Sequence, residues 1–284
     1  MRMRRAFAAA VACSVMVVSP MAAAMTESQI MGMHHGVNYA GDAQSPHYGS
    51  GFKDARERAV MSAAETYASQ VAYCQGVHAW NAWANQRRSI FDKAYNFDAL
   101  LLDAGRVLPP VILQDDRSFR QHGPSLAITA QTTWHILHEG KIVSMAPNWR
   151  GYLIQSCGKP LFPNAVLLPK SAADEAAWHD GVARGWKQGW LAAKAGFEYG
   201  LHRLTRDYAG MLRFWWLSQR GVVQAPILST GDVGVRVNGR TLNVGERIFR
   251  LTDAGSFKPA QHWKPVIQLN NAPTSGLPLI RIGQ

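Results

Sequence analysis

Few residues in this sequence are of types and spacings that could do chemistry. His135 and His138 stand in "HILHE" beside Glu139. A zinc-protease helix needs two histidines four apart with a glutamate following the first. Here they are three apart, inside "LAITAQTTWHIL", a stretch rich in Ile, Thr and Trp that reads as a strand. Residues three apart on a strand point to opposite faces, so the imidazoles do not converge. His34 and His35 are adjacent in a tract of Gly, Ser, His and Pro, without converging partners for a metal. Asp115 and Asp116 read as a solvated pair in a loop. "CGKP" at Cys157 lacks the glycine-rich lead and the hydroxyl residue of a phosphate loop, and no GxSxG elbow occurs. No motif links Cys157 to a histidine. The reading is a chain that is not an enzyme, with no catalytic residues, cofactor or metal.

Aromatic recognition is the richer possibility. Residues 178–190, "WHDGVARGWKQGW", hold three tryptophans and three glycines. Exposed rings would make a platform for a sugar, but the spacing is helical. Trp178, Val182, Trp186, Trp190, Ala193, Phe197, Leu201, Leu204, Tyr208, Met211 and Trp215 fall within an arc of roughly 140° on a helical wheel. Arg184, Lys187, Lys194, Glu198 and Arg213 lie on the other side. Tryptophans on one sustained stripe serve core or interface. Beside them run Gly185, Gly189, Gly196 and Gly200. Each costs a helix about 1 kcal/mol against alanine, so close approach of a neighbouring backbone is the expected gain. Asp180, Arg184, Lys187, Lys194 and Arg206 exclude a membrane span here. Straight, such a helix would be about 60 Å long, so a break or kink is expected near Gly196 or Gly200. Arg203 and Asp207, four apart, are expected to pair on it.

The elements that must position these residues follow from periodicity. From 53 to 94 the pattern is helical, with Val60, Ala64, Tyr67, Val71 and Cys74 on one face. Gly76 interrupts the pattern, and a long helix or a helix pair results. A short apolar run then meets Pro109-Pro110, which bar a helix and favour extended chain beyond. "LAITAQTTWHIL", with "EGK" as a turn and "IVSM" after it, predicts a β-hairpin. "VGVRVNGRTLNV" alternates around Asn238-Gly239, a type I′ turn signal, and "ERIFRLTD" adds a strand. The fold class is α+β: long helices at about 53–94 and 175–217 packed with antiparallel β-hairpins at about 126–145 and 233–252. One domain is expected over 51–270, after a flexible lead (25–50) and before a tail (271–284).

Charge and cysteines bear on compartment. "MRMRR", then "AFAAAVACSVMVV", then "SPMAAA" has the three regions of a secretory signal, with cleavage after Ala24. Removing Arg2, Arg4 and Arg5 takes the formal charge from +11 to +8. The basic residues are scattered among acidic ones, without the dense runs of a nucleic-acid interface, so direct nucleic-acid binding is not expected. Cys13 sits in a poor lipobox, without leucine three residues before it and with "SVMVV" after it, and reads as part of the signal, with lipidation at Cys13 as the disfavoured alternative. Cys74 and Cys157 are either one disulfide, as an oxidising compartment favours, or two buried thiols.

Several strings, in order, resemble the DotC family of type IVB secretion systems (Dot/Icm and I-type plasmid conjugation). They are "FDALLLDAGRVLPPVI" (97–112), "APNWRGYLI" (146–154), "LLPKSAADEAAWHDGVARGWKQGW" (167–190), "LHRLTRDYAGMLRFWWL" (201–217) and "APIL" (225–228). The resemblance covers about residues 55–265. The resemblance implies a structural part of the outer-membrane core complex. It implies association with a DotD-like lipoprotein and help in bringing a DotH-like channel component to the outer membrane. The family has no catalytic residues to carry over. Its members are typically lipoproteins, which the poor lipobox at Cys13 does not match; a lipidated partner would then hold this chain at the membrane from the periplasm. Trp149, Arg150, Trp178, Trp186, Trp190 and Trp215 are the expected core or subunit-contact residues, large aromatics and arginine being frequent interface anchors. The runner-up reading is a periplasmic cell-wall-binding or hydrolytic protein, which needs exposed tryptophans in a groove facing a carboxylate or metal ligands. A DNA-handling role, motivated by charge alone, is weaker.

Overall fold

A computed structural model describes residues 25–34, 50–121 and 123–264. The expected signal peptide with Cys13, most of the expected lead and the expected tail lie outside the described residues. In chain order the helices are α1 (Glu27–Met31), α2 (Ser50–Gln86), α3 (Arg88–Ala94), α4 (Arg150–Leu153) and α5 (Ala172–Gln219). The strands are β1 (Val107–Leu108), β2 (Val111–Gln121), β3 (Ala127–His138), β4 (Lys141–Ile142), β5 (Val223–Gln224), β6 (Ile227–Asn238), β7 (Thr241–Asp253) and β8 (Ser256–Phe257). The class is α+β, with long helices and antiparallel hairpins. Among the described residues the chain divides into two compact units, one within Met1–Ala79 and Ser156–Lys194, the other within Trp80–Gln155 and Ala195–Gln284.

The first unit is helical. Val60, Ala64, Tyr67 and Val71 of α2 are buried, as their spacing requires, together with Trp178 and Val182 of α5. Residues 25–34, read from sequence as irregular lead, contain α1. Thr26 caps it in a capping box with Gln29, and Ile30 is wholly buried. Helix α5 starts where Ser171 Oγ accepts the Asp174 N–H at 3.2 Å, and Asp174 and Glu175 put negative charge in the first turn.

In the second unit, α2 gives way to α3 at Arg87, so the aromatic residues of 80–95 belong to two helices. Trp80 and Trp83 are on α2 and Phe91 is on α3. Trp80, Trp83, Phe91, Trp149 and Phe197 pack ring to ring, with Trp80 stacked on Phe197 at 4.9 Å. Helix α5 runs without interruption to Gln219, so the expected break near Gly196 or Gly200 does not occur. Gly221, with φ +71, turns the chain after it.

The strands form four two-stranded antiparallel sheets: β1–β4, β2–β3, β5–β8 and β6–β7. The first expected hairpin is corrected. Residues 127–138 pair backward with 111–121, through a turn around Gly123-Pro124, while β4 pairs with β1. Gly123-Pro124 is the stronger turn signal. Gly140 serves close approach instead: its N–H donates to the Ala254 carbonyl at 2.9 Å, and a Cβ there would press on Pro226. Asp115 and Asp116, expected in a loop, are in β2 opposite Thr133 and Thr132. The second hairpin is where the alternation predicts it. Asn238 pairs with Thr241, leaving Gly239 and Arg240 as the loop. Gly239 has φ +52 and Arg240 does not have positive φ, the pattern of a type II′ turn rather than I′. "ERIFRLTD" continues β7 rather than forming a separate strand.

Candidate functional site

The tryptophan segment of the first unit is built around backbone contact. Gly181, Gly185 and Gly189 of α5 face the carbonyls of Met61, Glu65 and Ser69 of α2, so close that a Cβ would collide with each. Both series advance by four in the same direction, so the two helices run parallel here, backbone against backbone. Trp178 is wholly buried beside this seam, and its Nε1 donates to the Ile30 carbonyl at 2.8 Å. Trp186 and Trp190 are half-buried. Gln188 donates to Glu65 across the pair at 2.6 Å. At the start of α5 the buried Asp174 accepts from Arg56 and from the Lys170 N–H, each at 3.1 Å, so its charge is matched.

Cys74 of α2 is joined to Cys157 by a disulfide, with the Cα atoms 5.4 Å apart. A shallow groove beside it is lined by Met25, Tyr67, Val71, Gln75, His78 and Lys159. Burial raises the Tyr67 phenol above its ordinary range. Tyr67 Oη donates to Met25 Sδ at 3.2 Å, and Gln75 donates to the Met25 carbonyl at 2.8 Å. His78 Nε2 is 3.9 Å from Cys157 Sγ.

In the second unit Trp149 is buried at the start of α4. Its Nε1 donates to Asp92 Oδ1 at 2.6 Å, its ring stacks on Phe91 at 5.0 Å, and the Arg150 guanidinium lies over it at 4.3 Å. Arg150 also reaches Asp92 at 3.4 Å, so sequence neighbours Trp149 and Arg150 share one carboxylate. Trp215 donates to the Leu100 carbonyl at 3.0 Å and is half-buried, while Trp216 is exposed under Arg220. The expected Arg203–Asp207 pair is corrected. Asp207 is buried and bonded to Arg206 at 2.7 Å and to Tyr152 Oη at 3.2 Å, while Arg203 lies over the rings of Tyr152 and Tyr199. The Tyr152 phenol is pushed up to about 12, first by burial and then by the charge and hydrogen bond of Asp207. Arg213 donates to the Ile112 carbonyl at 2.6 Å, and burial lowers its pKa while Asp116 opposes the shift.

The six aromatic and arginine candidates thus fall in two places: Trp178, Trp186 and Trp190 in the first unit, Trp149, Arg150 and Trp215 in the second. The indole N–H groups of Trp149, Trp178 and Trp215 are satisfied by carbonyls or a carboxylate, the chemistry of packing. His135 makes an exposed 3.4 Å contact with Asp115 on the neighbouring strand. Among the described residues no cluster of three or more His, Cys, Asp or Glu could hold a metal ion. Nor is any described helix long and apolar enough to cross a membrane.

What sequence reading missed is on the hairpin arms. Phe119, Leu126 and Ile128 on the first, and Val235, Val237, Leu242 and Val244 on the second, are more than half exposed. The alternation that marks a strand also marks one apolar face, but nothing in it says whether that face is covered.

A family model described as "Type IV secretory system, conjugal DNA-protein transfer" matches residues 54–265. No curated protein matches the chain significantly. The match runs through α2, both hairpins and α5, most of the chain, and the chain therefore belongs to this type IV secretory system, conjugal DNA-protein transfer family.

Proposed function

We propose that the protein is a non-catalytic structural subunit of a type IVB secretion or conjugation apparatus. It works in the outer-membrane core complex, is exported to the periplasm, and helps assemble or localise the channel. The observation that carries this is the family match over 54–265, which includes nearly every described element. The order of the DotC-like strings supports the finer assignment, with a DotD-like lipoprotein and a DotH-like channel component as partners. The arrangement of the tryptophans accords with it: they brace helices and pack cores.

The burial of Trp178 weighs against the cell-wall reading. Trp178, which led the supposed sugar platform, is fully buried with its indole N–H bonded to backbone. Trp186 packs against the same apolar cluster.

The test is gentle detergent extraction of native envelopes, capture on a C-terminal tag and mass spectrometry of what accompanies the chain. DotD-like and DotH-like proteins in a high-mass particle are expected, with a mature N-terminus at Met25. A lone monomer without them overturns the assembly role.

A further inference from the structure

The hairpin β6–β7 has an uncovered apolar end. Val235 pairs with Val244, and Val237 with Leu242, so all four side chains share one face. They are 61–74 % exposed. The opposite face of the same stretch is polar, with Arg236 across from Asn243 and Asn238 across from Thr241.

Acidic residues are confined to the base of the arm. Asp232, Glu246 and Asp253 lie away from the turn, with Arg247 and Arg250 among them, while residues 233–245 contain Arg236 and Arg240 and no acid. Arg236 reaches Glu246 at 3.5 Å. Arg240, in the turn itself, has no ion pair among the described residues. Hairpin β2–β3 is sorted the same way. Asp115 and Asp116 are proximal, and 117–134 carries Arg117 and Arg120 with exposed Phe119, Leu126 and Ile128 and no acid.

We propose that the distal end of the β6–β7 hairpin docks on an anionic lipid surface. Aliphatic side chains beside the unpaired Arg240 suit the boundary between acyl chains and phosphate headgroups, where the apolar face sinks in and the guanidinium meets phosphate. The patch is small. Four aliphatic side chains offer a few hundred Å² at most, against the about 800 Å² per partner that a stable protein interface takes. The hairpin is a two-stranded sheet whose outer edges carry unpaired backbone groups. Hydrocarbon would penalise these heavily, so the arm rests at headgroup depth and does not span. The proposal stands independently of the assembly role.

The experiment uses the purified mature chain and two kinds of vesicle, phosphatidylcholine alone and phosphatidylcholine with phosphatidylglycerol. Co-sedimentation is expected with the anionic vesicles only, weakening as salt is added. Arg240→Gln should lower the partition coefficient about fivefold, the effect of one arginine at an anionic surface. Val235→Asp with Leu242→Asp should reduce binding to background. These side chains are exposed, so circular dichroism and thermal unfolding of the variants should match the parent. Absent binding to anionic vesicles, equal binding to neutral ones, or binding unchanged in both variants would overturn the proposal. The last result, or no vesicle binding at all, would leave the patch to a protein partner.

Discussion

Among the described residues Tyr152 carries the clearest pH signature. In the folded protein its phenol keeps its proton up to about pH 12, against an ordinary value of 10.0. Burial and Asp207 cause the shift, and Arg203 and Arg206 oppose it. Between those two values the native state holds a proton that the unfolded chain has released, so stability falls as pH rises through that window. It is fully present below about pH 10. Tyr152→Phe removes the proton in question, and the variant's denaturant midpoint should decline less steeply over this range. A parallel decline in both proteins would show that Tyr152 is not responsible. The partner of Asp207 was not legible in sequence. Helical spacing favours Arg203 at i−4, whereas adjacent residues do not face each other on a helix. The long Arg206 side chain nonetheless reaches its neighbour's carboxylate, because that carboxylate is buried and Arg203 is drawn over two tyrosine rings.

At the scale of elements, α5 shows what its glycines do. On propensity alone Gly185→Ala would stabilise the helix by about 1 kcal/mol. The Glu65 carbonyl occupies the space a methyl group needs, so the net expectation is a loss of about 1–3 kcal/mol, the usual cost of overpacking. Gly151→Ala is the control. Gly151 is also helical, but nothing lies within 4 Å of where its Cβ would be, so that change should be neutral or slightly stabilising. Denaturant titration of both variants measures the contrast, and equal effects would refute the contact argument. The same logic corrects the expected break. Gly196 faces the Gln155 side chain and Gly200 the Tyr152 carbonyl, so they too admit neighbours and leave the helix whole.

For the whole molecule, the disulfide is the principal covalent constraint. Cys74 and Cys157 are 83 residues apart in sequence, and closing so long a loop restricts the unfolded chain strongly. Reduction, or Cys74→Ser with Cys157→Ser, should lower stability by about 2–4 kcal/mol. Amide exchange should quicken most around 70–78 and 156–161, where Leu161 N–H donates to Gln70 at 2.8 Å. Unchanged midpoints under reducing conditions would mean that the native contacts hold this loop without the bond.

Local periods by themselves determined much of this protein. A 3.6-residue repeat placed the buried face of α2 and the aromatic stripe of α5. A two-residue repeat with a glycine turn placed β6–β7, because each signal lies within a dozen neighbouring residues. The helix–glycine conflict also announced a close approach, since a cost of that size requires a gain. Only the tertiary structure decided what approaches those glycines, that 111–121 rather than 142–145 pairs with 127–138, and which arginine holds Asp207. It alone decided that the apolar faces of the hairpin arms are left open. These outcomes depend on atoms far apart in sequence competing for the same space, and local pattern contains no term for that competition.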